Sequence, residues 1–132
     1  MEKLSLKTNK RVELIDVTER IQAIVTKTKF VSGVCFVFCP HTTAGLTINE
    51  NADPSVKSDI LNTLNKLIPE NAGYAHSEGN ADSHVKSSLF GSSLSIFVEG
   101  GELLLGRWQG LYFCESDGPR SRELWVKVVR ES

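Results

Sequence analysis

Three histidines, His41, His76 and His84, all fall outside the apolar runs of the chain and stand among carboxylates, amides and hydroxyls. His41-Thr42-Thr43-Ala44-Gly45 follows directly on an apolar run, where polar groups can be held rigidly and still meet solvent. Asn49-Glu50-Asn51-Ala52-Asp53 ends at a helix start, His76-Ser77-Glu78-Gly79-Asn80 is a loop rich in hydrogen-bonding groups, and His84 opens a short helical stretch. Imidazoles with nearby carboxylates suit zinc and similar divalent ions, and three protein ligands plus water make a catalytic centre. The spacing matches no established metal signature. Three readings therefore stay open: a bound divalent metal (zinc or magnesium), a metal-free polar pocket, and histidines with no common site.

The acids divide by role. Asp53 precedes Pro54, and a carboxylate followed by proline at the first helical position is a helix start, so capping competes with catalysis at that residue. Glu50 has no such structural assignment and is the stronger general-base candidate, against the plainer reading of a solvated loop carboxylate. Glu115 comes just after an apolar strand, where a charge needs an arginine or a metal as partner. Arg107, Arg120 and Arg122 are the candidates for holding phosphate through bidentate bonds, with solvent-exposed arginines on a turn as the alternative. In Gly106-Arg107-Trp108-Gln109-Gly110, Trp108 is expected to open a strand and enter the core, which points Gln109 to the opposite face, toward a pocket. Ser87, Ser88, Ser92 and Ser93 surround Gly91 and suggest a small nest of backbone amides. The phosphate-binding, dinucleotide and HExxH motifs are absent from the sequence.

The elements that must position these groups read as follows. Alternation at Leu4 and Leu6, then at Val12 and Leu14, predicts two strands around a turn at Thr8-Asn9-Lys10. A helix is expected over about residues 17–27, with Asp16 and Glu19 in capping-box register. Val34 to Phe38 reads as a buried strand, and a helix runs from Asp53-Pro54 to Pro69 with Val56, Ile60, Leu64 and Leu67 on one face. Residues 70–80 read as loop, and Asp82 is expected to cap a short helix ending at Gly91. Strands follow over Leu94 to Val98, Leu103 to Leu105, Trp108 to Cys114 and Leu124 to Val129, with the last turn at Asp117-Gly118-Pro119-Arg120. This order is no regular βαβ alternation, so the class is α+β in a single domain over residues 1–132.

Bulk properties narrow the function. The chain of 132 residues is long enough for one core. Its net charge of −1 provides no broad basic face for nucleic acid, and no apolar run reaches the length of a membrane span. The charged, alternating N-terminus is unlike a signal peptide, which sets the expected location as the cytoplasm. Cys35, Cys39 and Cys114 are an odd set without CxxC spacing, expected to be buried apolar residues rather than a disulfide or a nucleophile.

HTTAGLTINENADP, the YAHSEGNADSH loop, KSSLFGSSLSIFV, LGRWQGLYFCE and DGPRSR, in that order over nearly the whole chain, resemble the YjbQ-like family, also labelled secondary thiamine-phosphate synthase. The resemblance implies a β-sandwich or pseudo-barrel with two main helices and one short helix, assembled as a homotrimer. The family's shared polar residues fall on His41, Thr42, Asn49, Glu50, Asn51, Asp53, His76, Glu78, His84, Gln109 and Glu115. With these positions in hand, the residue types lead us to expect metal ligation from His41, His76, His84 and Glu115, catalysis from Glu50, Asp53 and His84, and substrate contacts from Thr42, Asn49, Asn51 and Gln109, beside Arg107, Arg120 and Arg122. The loop around Glu78 is shorter than in many relatives, and Thr43 replaces a common serine. The implied activity is weak thiamine-phosphate synthesis, in which a pyrimidine-methyl pyrophosphate loses pyrophosphate to a thiazole phosphate. The dedicated enzyme for that step is a TIM barrel of about 250 residues, so here the site must be an unrelated one. The alternative function is a non-catalytic trimer that binds a metal or a phosphorylated metabolite.

Overall fold

The computed structural model describes residues 1–131. Eight strands and three helices follow one another as β1 (Glu2–Lys7), β2 (Glu13–Asp16), α1 (Thr18–Thr28), β3 (Gly33–Phe38), β4 (Ala44–Glu50), α2 (Pro54–Leu67), α3 (Ala81–Phe90), β5 (Ser93–Glu99), β6 (Glu102–Leu103), β7 (Gln109–Glu115) and β8 (Ser121–Arg130). One sheet has the order β1-β8-β3-β5-β6 and the other β2-β7-β4, with antiparallel pairing throughout. The α+β class is as the sequence predicts.

The main core lies between the two sheets. Cys35 and Val37 of β3, Ile96 and Val98 of β5, and Leu124 and Val126 of β8 meet Leu46 of β4 and Leu111 and Phe113 of β7, with Ile21 and Val25 of α1 closing one side. A smaller cluster on the other face of the three-stranded sheet joins Leu14, Tyr112 and Cys114 to Ile60 and Leu61 of α2 and to Phe90. Because β7 is buried on both faces, it reads as a continuous apolar run rather than an alternating one. All three cysteines are buried and unpaired, and burial pushes the Cys35 thiol up to about 11.

Four elements depart from expectation. No element was expected between Pro40 and Asp53, yet Ala44–Glu50 forms β4, whose Gly45, Thr47 and Asn49 dilute the strand signal. Trp108 lies outside β7 and is 56% exposed, because Gly106 and Gln109 close a turn that throws it outward. The third helix has 10 residues, starting at Ala81, so Asp82 sits in its first turn and caps nothing. Arg122 lies inside β8 rather than beside the last turn, with its side chain directed into the protein. Asp53 does cap α2, accepting from the Ser55 amide at 2.9 Å and hydroxyl at 2.7 Å. Asp16 accepts from the Thr18 amide at 3.0 Å at the start of α1.

Candidate functional site

His41 sits where β3 has ended but β8 continues. Its Nε2 takes the place of the missing strand, 3.0 Å from the Glu123 carbonyl and 3.1 Å from the Glu123 amide. Burial, and then the Arg122 charge, lower the His41 pKa, against opposing contributions from Glu123 and Glu115. The imidazole is therefore neutral near pH 7.

His41 and Thr42 line an open depression of about 360 Å³ with His84, Ser87, Ser88, Gly91 and Ser92. The serine-rich segment around Gly91 thus does face the histidines. The Ser87 hydroxyl is already spent on the Ala44 carbonyl at 2.7 Å, and that of Ser88 on the His84 carbonyl at 3.1 Å. His84 is also shared with a second depression of about 320 Å³, lined by Tyr74, Ala75, His76, Ala81 and Val85. The His76 and His84 ring centroids are 5.2 Å apart at an interplanar angle of 66°. The three imidazoles therefore lie along one surface, with His84 in the middle.

Helix α3 reaches this position because β4 lets it approach. A Cβ on Gly45 would lie 2.7 Å from the Gly91 carbonyl oxygen and 2.8 Å from Phe90 Cβ, so only glycine admits this packing.

Beneath His41 lies a buried ion pair. Arg122 Nε donates to Glu115 Oε1 at 2.9 Å, and Nη2 donates to Glu115 Oε2 and to Thr43 Oγ1, the latter at 2.9 Å. Glu115 accepts further from the Thr8 hydroxyl at 2.8 Å and from the Ser116 and Asp117 amides, both at 3.1 Å. Burial pushes the Glu115 carboxyl up, but Arg122, Thr8 and the Asp117 amide outweigh it and hold it below its usual value. These two residues correct the sequence reading together. Glu115 has an arginine instead of a metal, and Arg122 has no fork left for phosphate.

The remaining candidates are spread further. Arg120 binds Asp117 through both its carbonyl and its carboxylate at 2.9 Å, and the Arg107 guanidinium stacks over Trp108, 5.3 Å from the ring centroid. The Gln109 side chain closes its own turn, accepting from the Gly106 amide at 2.7 Å, and lines neither of these two depressions. Asn49 accepts from the Glu50 amide at 2.7 Å, and Asn51 donates to Asp16 at 3.2 Å. At the usual rise, β4 carries Glu50 about 20 Å from its histidine end. Within one chain, Glu50 and Asp53 therefore do not join His41, His76 and His84. Among the described residues, no three histidine, cysteine or carboxylate groups converge closely enough to hold a metal.

A second buried network carries residues the sequence reading missed. Asp82 and Lys86 of α3 are 1% and 2% exposed, and the Arg11 guanidinium grips the Asp82 carboxylate with two bonds of 3.0 Å. An acid and a base four apart on a helix look like a solvated pair, so only burial reveals them.

Residues 2–131 match the family described as UPF0047 protein YjbQ-like. The chain belongs to this family. A UPF0047 protein of Methanocaldococcus jannaschii is 54% identical over 127 residues, covering 96% of this chain and 92% of that relative. UPF0047 protein YugU of Bacillus subtilis is 50% identical, with 96% of each chain covered. The crystal structure of a YjbQ/UPF0047 family protein from Clostridium acetobutylicum superimposes with a TM-score of 0.96 at 50% identity, over 98% of this chain and 100% of that one. The curled antiparallel sheets with three helices are thus the YjbQ-like fold. No helix among the described residues is long and apolar enough to cross a membrane.

Proposed function

We propose that this YjbQ-like chain holds a divalent metal at His76 and His84, takes the phosphate end of a small molecule in the depression beside His41, and works as a homotrimer with weak thiamine-phosphate synthase activity. The observation that carries the reading is the His76–His84 ring separation of 5.2 Å. An imidazole bound at a normal zinc–nitrogen distance puts its centroid about 3.2 Å from the ion, and two such rings at a tetrahedral angle have centroids about 5.2 Å apart. The donors favour zinc over magnesium, which prefers oxygen. A zinc ion held there would supply Lewis-acid stabilisation of a departing pyrophosphate.

The chain's own groups have separate tasks. The Thr42 and Ser92 hydroxyls and the His41 ring offer polar contacts to a phosphorylated ligand. With Nε2 committed to Glu123, His41 presents Nδ1 as its remaining proton donor or acceptor. The ligand that two histidines still lack comes from a second copy, and Glu50, whose carboxylate makes no hydrogen bond among the described residues, is the acid available for it.

The trimer is supported by the outer face of the five-stranded sheet. There Phe36, Phe38, Phe97 and Val129 are 46%, 41%, 66% and 47% exposed, beside Trp125 stacked on Phe38 at 5.5 Å. Contiguous exposed aromatic surface of this kind marks an association face.

Elemental analysis and zinc titration of the purified protein test the reading, followed by turnover of the pyrimidine pyrophosphate with the thiazole phosphate. About one zinc per chain is expected, lost in both His76→Ala and His84→Ala, with turnover lost in parallel. Zinc binding without turnover leaves a binding module. Wild-type protein that takes up no zinc removes the metal reading.

A further inference from the structure

The buried charges behind α3 lie opposite the face that carries His84. Asp82 and Lys86 each stand two residues from His84, a rotation of about 200° around the helix in opposite senses, so His84 projects away from both. The residues that α3 buries are Ala81, Asp82, Ser83 and Lys86, which provide almost no apolar area. Apart from Phe90 at its end, this helix is therefore oriented by directional polar contacts and not by non-directional apolar burial.

Those contacts reach the segments on either side of His76. Arg11 binds Asp82 through both carboxylate oxygens at 3.0 Å and approaches Glu70, where the loop leaves α2, at 3.5 Å. Lys86 Nζ donates to Asn65 of α2 at 2.7 Å and lies 3.5 Å from Asp82. At the far end of the loop Asn80 donates to Asp117 at 2.8 Å. The loop carrying His76 is thus held at both ends, and Arg11 contacts Glu70 before it and Asp82 after it. Buried ion pairs rarely stabilise more than well-packed apolar residues would, so their distinctive contribution is geometry.

We infer that Arg11, Asp82 and Lys86 are positioning residues that set the separation of His76 and His84. This rests on the metal-binding reading above and extends it to residues that never touch the ion.

The test compares Arg11→Lys, which keeps the charge but not the fork, with Lys86→Met and with Val25→Ala, a cavity in the separate main core. Two quantities are read: zinc affinity by competition titration, and the NOE between His76 and His84 ring protons in metal-free protein. Arg11→Lys and Lys86→Met should weaken zinc binding about 10- to 100-fold. Both should lose the NOE while remaining folded by circular dichroism, and Val25→Ala should lower the melting temperature with both readouts unchanged. Wild-type zinc affinity and an intact NOE in Arg11→Lys overturn the inference. So does an affinity loss that Val25→Ala reproduces at equal loss of stability. A wild-type protein that binds no zinc defeats the metal reading instead, and the NOE then decides the positioning by itself.

Discussion

Replacing Arg122 with methionine isolates the ion pair under His41. The arginine is 6% exposed, and Glu115, its partner, is 1% exposed. Methionine fills much of the same volume but leaves Glu115 with the Thr8 hydroxyl and two amides as its remaining donors. Breaking a buried pair from one side costs about 3–5 kcal/mol, because the surviving charge stays desolvated. For a chain of 132 residues the unfolding entropy is about 0.28 kcal/mol/K, so the melting temperature should fall by about 11–18 °C. Arg122 also donates to Thr43, so the same change frees the segment that begins at His41. The double variant Arg122→Met/Glu115→Leu removes both charges and should recover most of the loss. Urea denaturation of the two single variants and the double closes the cycle. A loss below about 1 kcal/mol for Arg122→Met would refute the reasoning, since that is the range of exposed pairs. A double variant no more stable than the singles would show that packing, not charge, sets the cost.

Acid should destabilise the protein only below about pH 4. The Asp82 and Glu115 carboxyls both lie below their usual values, despite burial acting in the opposite direction, because Arg11 with Lys86 and Arg122 with Thr8 favour the ionised form. Their stabilisation is complete above the unfolded carboxylate pKa, near 4, and is lost as pH falls through the lower folded values. Urea midpoints at pH 7, 5 and 3 should therefore drop mainly at the last step, and equal midpoints at pH 5 and pH 3 would contradict this. Gly45→Ala forces a methyl against Gly91 and Phe90 and should cost about 1–3 kcal/mol, with faster hydrogen exchange confined to α3. Asp53→Ala removes the cap of α2 and should lower the melting temperature slightly while zinc affinity stays at the wild-type value, whereas a lost metal site would give Asp53 a role beyond capping. In the proposed trimer the exposed Phe97 lies at the interface, so Phe97→Asp should lower the mass measured by light scattering, and an unchanged mass would remove this face from the proposal.

The α+β class, both long helices and most strands were legible because their signals are local. The Asp53-Pro54 start, the apolar spacing of α2 and the continuous run of β3 each follow from neighbouring residues alone. The strand β4 was missed because its glycine, threonine and asparagine are small or polar, and its pairing with β7 lies far away in the chain. Trp108 was misread because an aromatic residue opening an apolar run looks like core until a turn directs it outward.

By itself the sequence determined the residue types available for chemistry, the elements that carry them and the family to which they belong. Tertiary structure decided which groups remain free. It committed Arg122 to Glu115 and Arg120 to Asp117, placed Glu50 at the opposite end of β4 from His41, and set His84 between one depression shared with His41 and another shared with His76. Partner choice among charges depends on distances between residues remote in sequence, and desolvation makes those pairings binding. No spacing rule along the chain contains that information.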